Sequence, residues 1–325
     1  MAIELQSIPF TSIPMTTVHW VFATLFLSLS AASMFAFGLR ALKAKGQPHA
    51  TLDNLVDRIN AWWLIVATLG LAFAFGRAGV IICFALLSVL ALREFASLTF
   101  SKRSDHLALA LCFYVALPVQ YFLIWIEWYS LYTIFIPVYG FLLLPVVAAL
   151  RADTERFTER VATVQWGLML CVFSLSHVPA LLSLELDGFE GRGELLILFL
   201  LIVVQSSDVF QYIWGKLFGK HKVAPTLSPS KTWEGLLGGL LTATLLGAAL
   251  YQITPFSPLQ AGLIALMINL MGFFGGLVLS GIKRDHGAKD WGSLIQGHGG
   301  VIDRLDSILF AAPIFFHVLR YAFRS

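Results

Sequence analysis

Two carboxylates three residues apart, Asp303 and Asp306, stand at the start of an apolar run near the C-terminus. On a helix that spacing puts both on one face, Cβ atoms about 5–6 Å apart, where like charges repel unless a cation joins them. Oxygen ligands, no cysteine and one nearby histidine, His298, suit a hard ion, Mg²⁺ or Mn²⁺, with phosphate supplying further ligands. Asp290 adds a carboxylate to the same stretch, and Lys283, Arg284, Lys289 and Arg304 add cations. Such a mixture is expected where metal and protein together neutralise a polyphosphate. Gly297, Gly299 and Gly300 let the backbone approach that ligand closely. His298 suits a phosphate donor or loop organiser better than a metal ligand.

A second cluster lies upstream. Asp208 sits about two turns inside an apolar run, where an ionisable side chain is costly unless it meets a polar cavity, a cation or a partner such as Arg93. After it come Gly215, Lys216, Gly219, Lys220, Lys222 and Lys231, a flexible cationic segment able to offer backbone donors and ammonium groups to phosphate. Each feature alone has a plainer account. A basic loop beside a span sets topology or touches anionic lipid. Thr232 and Glu234 fit an ordinary helix start, and Asp303 and Asp306 suit a helix N-terminus. Together they favour phosphate and metal chemistry. Within an earlier apolar run, Arg93 is placed to snorkel and Glu94 to pair with a basic group of the site. Trp291 offers a ring on which a base could stack.

The elements that must position these groups are membrane helices. Of 325 residues, 58% are hydrophobic and 13% charged, with mean hydropathy +0.80. Soluble domains carry about 25% charged residues, so this chain cannot cover a water-facing surface. The same figures exclude disorder, coiled coil, collagen and a disulfide-stapled secreted fold. Long continuous apolar runs exclude an outer-membrane barrel. The fold class is all-α, a polytopic bundle of nine or ten transmembrane helices near 18–39, 61–76, 79–100, 107–125, 129–150, 161–183, 194–214, 234–254, 259–282 and 305–321.

Alternating spans with the N-terminus outside put 17 of the 22 basic residues in cytoplasmic loops, as the positive-inside rule requires. The first run carries Glu4 and no Lys or Arg ahead of it, so it reads as a retained helix, not a cleaved signal peptide. Residues 1–200 read as scaffold and lipid-facing helices and 201–325 as the catalytic region, within one integrated membrane domain. Cys83, Cys112 and Cys171 lie in apolar runs with no CxxC pair and read as packing residues. A net charge of +3 leaves no basic face for nucleic acid.

Residues 280–306 resemble the signature of the phosphatidate cytidylyltransferase family: Ser280, an apolar residue, Lys283-Arg284, Lys289-Asp290, His298-Gly299-Gly300, Asp303-Arg304, an apolar residue and Asp306. The run Ser228-Pro229-Ser230-Lys231-Thr232-Trp233-Glu234-Gly235 and the upstream Asp208 are similar to that family in order and spacing, so the likeness covers about 205–306. Gln296 departs from the usual Pro, and Gln211 from a usual small residue. The resemblance implies transfer of CMP from CTP to phosphatidic acid, giving CDP-diacylglycerol and pyrophosphate at the cytoplasmic face of a bacterial inner membrane.

On that basis one or two Mg²⁺ ions are expected on Asp303 and Asp306 with help from Asp290 and Asp208. Lys283, Arg284, Lys289 and Arg304 would offset phosphate charge. Ser228, Lys231, Lys216, His298, Gly299 and Gly300 would contact the substrates, and homodimerisation is implied. Other expectations are a CTP-dependent enzyme acting on an archaeol-type phosphate or a lipid alcohol, or a transporter. A transporter should show broken helices in two related halves. Here the polar residues crowd into one end of the chain.

Overall fold

A computed structural model describes residues 15–44, 50–99, 102, 105–292 and 299–323. Among them ten helical units occur: α1 Met15–Leu39, α2 Ala50–Ala74, α3 Gly76–Thr99, α4 His106–Trp125, α5 Tyr129–Ala149, α6 Phe157–Ser183, α7 Gly193–Phe218, α8 Trp233–Ile253, α9 Pro258–Asp285 and α10 Ile302–Ala322. Every apolar run of the sequence becomes a helix, since backbone out of contact with water must satisfy its polar groups within its own segment. Among the described residues eight helices are long and apolar enough to cross a membrane, and Ile59–Ala74 of α2 is a shorter apolar helix. The protein is a multi-pass helical membrane bundle. Helix α10 is not among those eight; its first turns carry Asp303, Arg304 and Asp306.

Hydropathy marks only where α2 becomes apolar. The helix begins at Ala50, well ahead of the apolar run, and its polar extension pairs Asp53 with Arg40 at 3.1 Å. Helices α4, α5 and α6 each contain a π segment, Cys112–Ala116, Phe135–Gly140 and Met169–Ser174. Pro145 in α5 has no N–H for the carbonyl of Phe141, and Gln165 Nε2 donates to that oxygen instead at 2.8 Å.

Helices α6, α7 and α10 form the interior, with Leu196–Leu200 of α7, Val178 and Leu181 of α6 and Leu309 and Phe316 of α10 all buried. One buried apolar cluster joins them to α3, α4, α5 and α9, so the two halves of the chain share a core. Helix α1 touches its edge through Val18, Val21 and Phe22 and is otherwise largely exposed. In the last third, α7, α8 and α9 pack in sequence, and α10 lies against α9, α7, α6 and α3. Between α7 and α8 the chain forms a hairpin, β1 Lys222–Ala224 and β2 Ser228–Thr232, antiparallel and with an irregular register.

Candidate active site

The hairpin is fastened to the start of α8. Thr232 caps that helix by accepting from the Gly235 amide at 3.2 Å. Glu234 completes no capping box; its carboxylate reaches back to the amides of Lys220 at 3.0 Å and His221 at 3.2 Å, and to His221 Nδ1 at 2.6 Å. Held in this way, β2 turns Lys231 inward. Its ammonium lies 4.6 Å above the Phe273 ring and 3.5 Å from the Phe273 carbonyl oxygen. Gly276 of α9 leaves the space it needs, because a Cβ there would stand 2.9 Å from Lys231 Nζ and 3.4 Å from Asp306 Oδ2. Burial pushes the Lys231 pKa down, while Asp306 and Asp208 facing it pull it back up.

Asp208 of α7 and Asp306 of α10 meet over one hydroxyl. Ser307 Oγ is 2.9 Å from Asp208 Oδ2 and 3.3 Å from Asp306 Oδ1, and the Ser307 amide donates to Asp306 Oδ1 at 2.7 Å. One hydroxyl proton cannot neutralise two carboxylates, so the pair leaves negative charge to be matched by a cation. Asp208 is exposed and Asp306 half-buried, so the pair can be reached from outside the bundle. The partner is Ser307; Arg93 is exposed on α3.

Asp303 serves a different purpose. Its Oδ1 accepts from Lys283 Nζ at 2.6 Å, and its Oδ2 from the amides of Trp291 at 2.8 Å and Gly300 at 2.9 Å. Gly299 has φ +78°, and a Cβ there would lie 2.4 Å from Asp303 Oδ2, so only glycine closes this turn. Asp303 and Asp306 therefore share a helix, but their carboxylates have separate partners: Asp303 is paired with the Lys283 ammonium, whereas Asp306 is bonded to Ser307 and feels Lys231 only through its field. Glu94, buried on α3, fixes the same loop from behind by accepting from the Ile302 amide at 3.0 Å. Trp291 is 2% exposed and stacks on Phe95 at 5.3 Å between centroids, which removes it as a platform for a base.

The remaining groups lie around this centre. Exposed Arg284 holds the loop rim by donating to the carbonyls of Leu227 at 3.5 Å and Ala288 at 3.2 Å. Lys289 and Asp290 are exposed on the loop, and Ser228 is half-buried at the start of β2. Lys216 is exposed near the end of α7, its ammonium 5.7 Å over Tyr212. The Arg304 carbonyl accepts from Gln205 Nε2 at 3.2 Å. Gln211, a departure from the signature, donates to Ser207 one turn back at 2.9 Å. His298, Gly297 and Gln296 lie outside the described residues.

Sequence reasoning missed Ser307 and Gly276, whose small side chains read as helix packing, and also Gln205, whose amide donates to the Arg304 carbonyl. It assigned Glu94 a basic partner where the structure gives backbone. Among the described residues no three His, Cys, Asp or Glu side chains gather in metal-holding range. Among the described residues Asp208 and Asp306 converge on the Ser307 hydroxyl, and two such carboxylates, one of them exposed, fit a hard divalent ion whose other ligands are phosphate and water. Asp303, with both oxygens accepting from the protein, and exposed Asp290 do not join them.

These features fall inside one family match. The model of the cytidylyltransferase family aligns with residues 56–322. The chain belongs to the cytidylyltransferase family. It is thus a nucleotidyltransferase, and the family span takes in Glu94 of α3 as well as the sites on α7, the hairpin, α9 and α10. The uncharacterized protein YnbB of Escherichia coli (strain K12) is 41% identical over 301 residues, 92% of this cytidylyltransferase and 97% of that protein. Phosphatidate cytidylyltransferase of Staphylococcus aureus (strain COL) is 40% identical over 131 residues, 39% of this chain and 50% of that enzyme. Its namesake in Staphylococcus saprophyticus is 41% identical over 146 residues, 44% and 56%. The match thus spans about half the length of those two enzymes.

Proposed function

We propose that this cytidylyltransferase moves CMP from CTP to phosphatidic acid at the cytoplasmic membrane face, releasing pyrophosphate and forming CDP-diacylglycerol. The observation that carries the reading is the convergence of Asp208, Asp306 and Lys231 beneath a loop clasped by Asp303 and Lys283. A lipid phosphate oxygen attacks the α-phosphorus of CTP, the bond to the β-phosphate breaks, and its electron pair leaves with pyrophosphate. The lipid phosphate is anionic near neutral pH, so no strong general base is required. Catalysis rests on in-line positioning and charge neutralisation.

Asp208 and Asp306 would hold Mg²⁺, which when bound supplies charge compensation between the two anionic reactants. Lys231 balances the two carboxylates and faces the phosphates. Lys283 and Asp303 keep the loop closed so that the Gly299–Gly300 backbone lies against the nucleotide. Arg284 and Lys289 at the rim attract CTP from the aqueous side, with Lys216 and Ser228 at the hairpin's edge. The half-length likeness to enzymes named phosphatidate cytidylyltransferase supports phosphatidic acid as the acceptor.

The test is purified protein in detergent or lipid with Mg²⁺, phosphatidic acid and CTP labelled on its α-phosphate, following lipid and pyrophosphate together. Labelled lipid and pyrophosphate in equal amounts support the reading. Labelled CDP with no labelled lipid overturns it in favour of a lipid-alcohol kinase. Transfer only to an archaeol-type phosphate overturns the acceptor.

A further inference from the structure

From Val209 to Trp233 the chain has four lysines, Lys216, Lys220, Lys222 and Lys231, and no Asp or Glu. The hairpin sorts them onto two faces. Lys231 points inward, to its seat over the Phe273 ring. Lys222 stands opposite Thr232 in the ladder, so those two side chains share the face that Lys231, the next residue of β2, does not. Thr232 packs that face on the end of α7: a Cβ at Gly219 would stand 2.7 Å from its Oγ1, and one at Gly215 3.2 Å. Lys222, with Lys216 and Lys220 at the end of α7, is exposed there.

Apolar groups flank these lysines. Leu217 and Phe218 close α7 and Trp233 opens α8, all three exposed. The Trp233 amide donates to the His221 carbonyl at 2.9 Å, which draws the first turn of α8 against the last turn of α7. With 26 residues α7 rises about 39 Å, more than the roughly 30 Å of hydrocarbon, so its last turn reaches headgroup level. Aromatic rings and lysine stems are at home there. A soluble anion would engage the ammonium groups but has no use for the exposed Leu217, Phe218 and Trp233. Uncharged lipid would cover those side chains and leave the lysines unmatched. A surface rich in anionic headgroups satisfies both.

We propose that the outer face of the hairpin and the adjoining end of α7 are a contact for an anionic bilayer surface, and that this contact holds β2 where it presents Lys231 to the site. The hairpin is the mechanical link. Its outer face carries Lys222, its inner face Lys231, and Glu234 clasps the two strands at their base through the Lys220 and His221 amides. Headgroups that hold the outer face therefore also steady the inner one.

Amide exchange tests this in the full chain, held in nanodiscs of phosphatidylcholine alone or with one lipid in three replaced by phosphatidylglycerol. The Lys220 and His221 amides should exchange about fivefold more slowly in the anionic discs, the scale of one lysine at such a surface. At about 1 M salt, where screening acts within about 3 Å, the difference should vanish. Lys220→Gln combined with Lys222→Gln should remove most of the slowing while the buried amides of Leu196–Leu200 exchange as before. Equal rates in the two discs, or undiminished slowing in the double variant, overturns the proposal. The same slowing by inorganic phosphate in neutral discs assigns the lysines to a soluble anion and also overturns it. With CTP and phosphatidic acid, the ratio of kcat in anionic over neutral discs should exceed one and fall to one in the double variant; an identical ratio in both overturns the link to Lys231. Exchange needs no turnover, so a failure to transfer CMP to phosphatidic acid would strike the function proposed above while the exchange rates still decide the contact.

Discussion

Ser307 places two carboxylates on one proton, and that arrangement makes the charge of each indispensable to the proposed chemistry. Replacing either Asp208 or Asp306 by Asn should lower kcat by about 100-fold or more, the scale of losing one preorganised electrostatic group. The Mg²⁺ concentration for half-maximal rate should rise in the same variants. A monodisperse gel-filtration peak checks that the bundle remains folded, and near-normal turnover in both variants would remove the metal assignment.

Glu94 gives a second prediction at this scale, because it acts only through the loop. Glu94→Ala orphans the buried Ile302 amide, a cost of about 1–3 kcal/mol, and should raise the KM for CTP while making the loop more open to proteolysis. Glu94→Gln keeps an oxygen acceptor and should recover most of the loss. Polar residue types and spacing announced Asp208, Lys231 and Asp306 in the sequence. They did not announce which oxygen meets which donor: Asp303 satisfies the loop amides only once the Gly299 turn brings residues 291 and 300 to it.

Among the elements, the apolar runs made the helices legible because length and hydropathy suffice to define them. The hairpin was not legible. Strands of three and five residues, one containing Pro229, carry no alternating pattern, and the segment reads as a flexible basic loop. Its shape comes from Glu234, whose carboxylate accepts from two amides and one imidazole across the base of the hairpin. Glu234→Ala should release β2, displace Lys231 from its seat over the Phe273 ring and lower kcat/KM by roughly tenfold. His221→Ala keeps both amide bonds and should cost much less. Equal losses in the two variants would show that the imidazole, not the backbone clasp, holds the hairpin.

At the scale of the whole molecule, the charge asymmetry of the loops and the site's position on the bundle make one statement about sidedness. The signature loop, the hairpin and the buried Arg160–Asp105 pair at 2.8 Å all belong to segments where Lys and Arg concentrate. The connection before α7 carries Glu185, Asp187 and Glu190 against Arg192 alone. Helix α7 joins the two sides with 26 residues, a rise of about 39 Å, enough to cross a hydrocarbon core of about 30 Å with its polar ends outside. A cysteine placed at 187 should therefore react with a membrane-impermeant thiol reagent in intact cells. One at 289 should react only after the membrane is opened. The native thiols interfere little, since Cys112 and Cys171 are buried and Cys83 lines an apolar groove. Labelling of position 289 in sealed cells would put the carboxylates, and with them the CTP site, on the wrong side for a nucleotide made inside the cell.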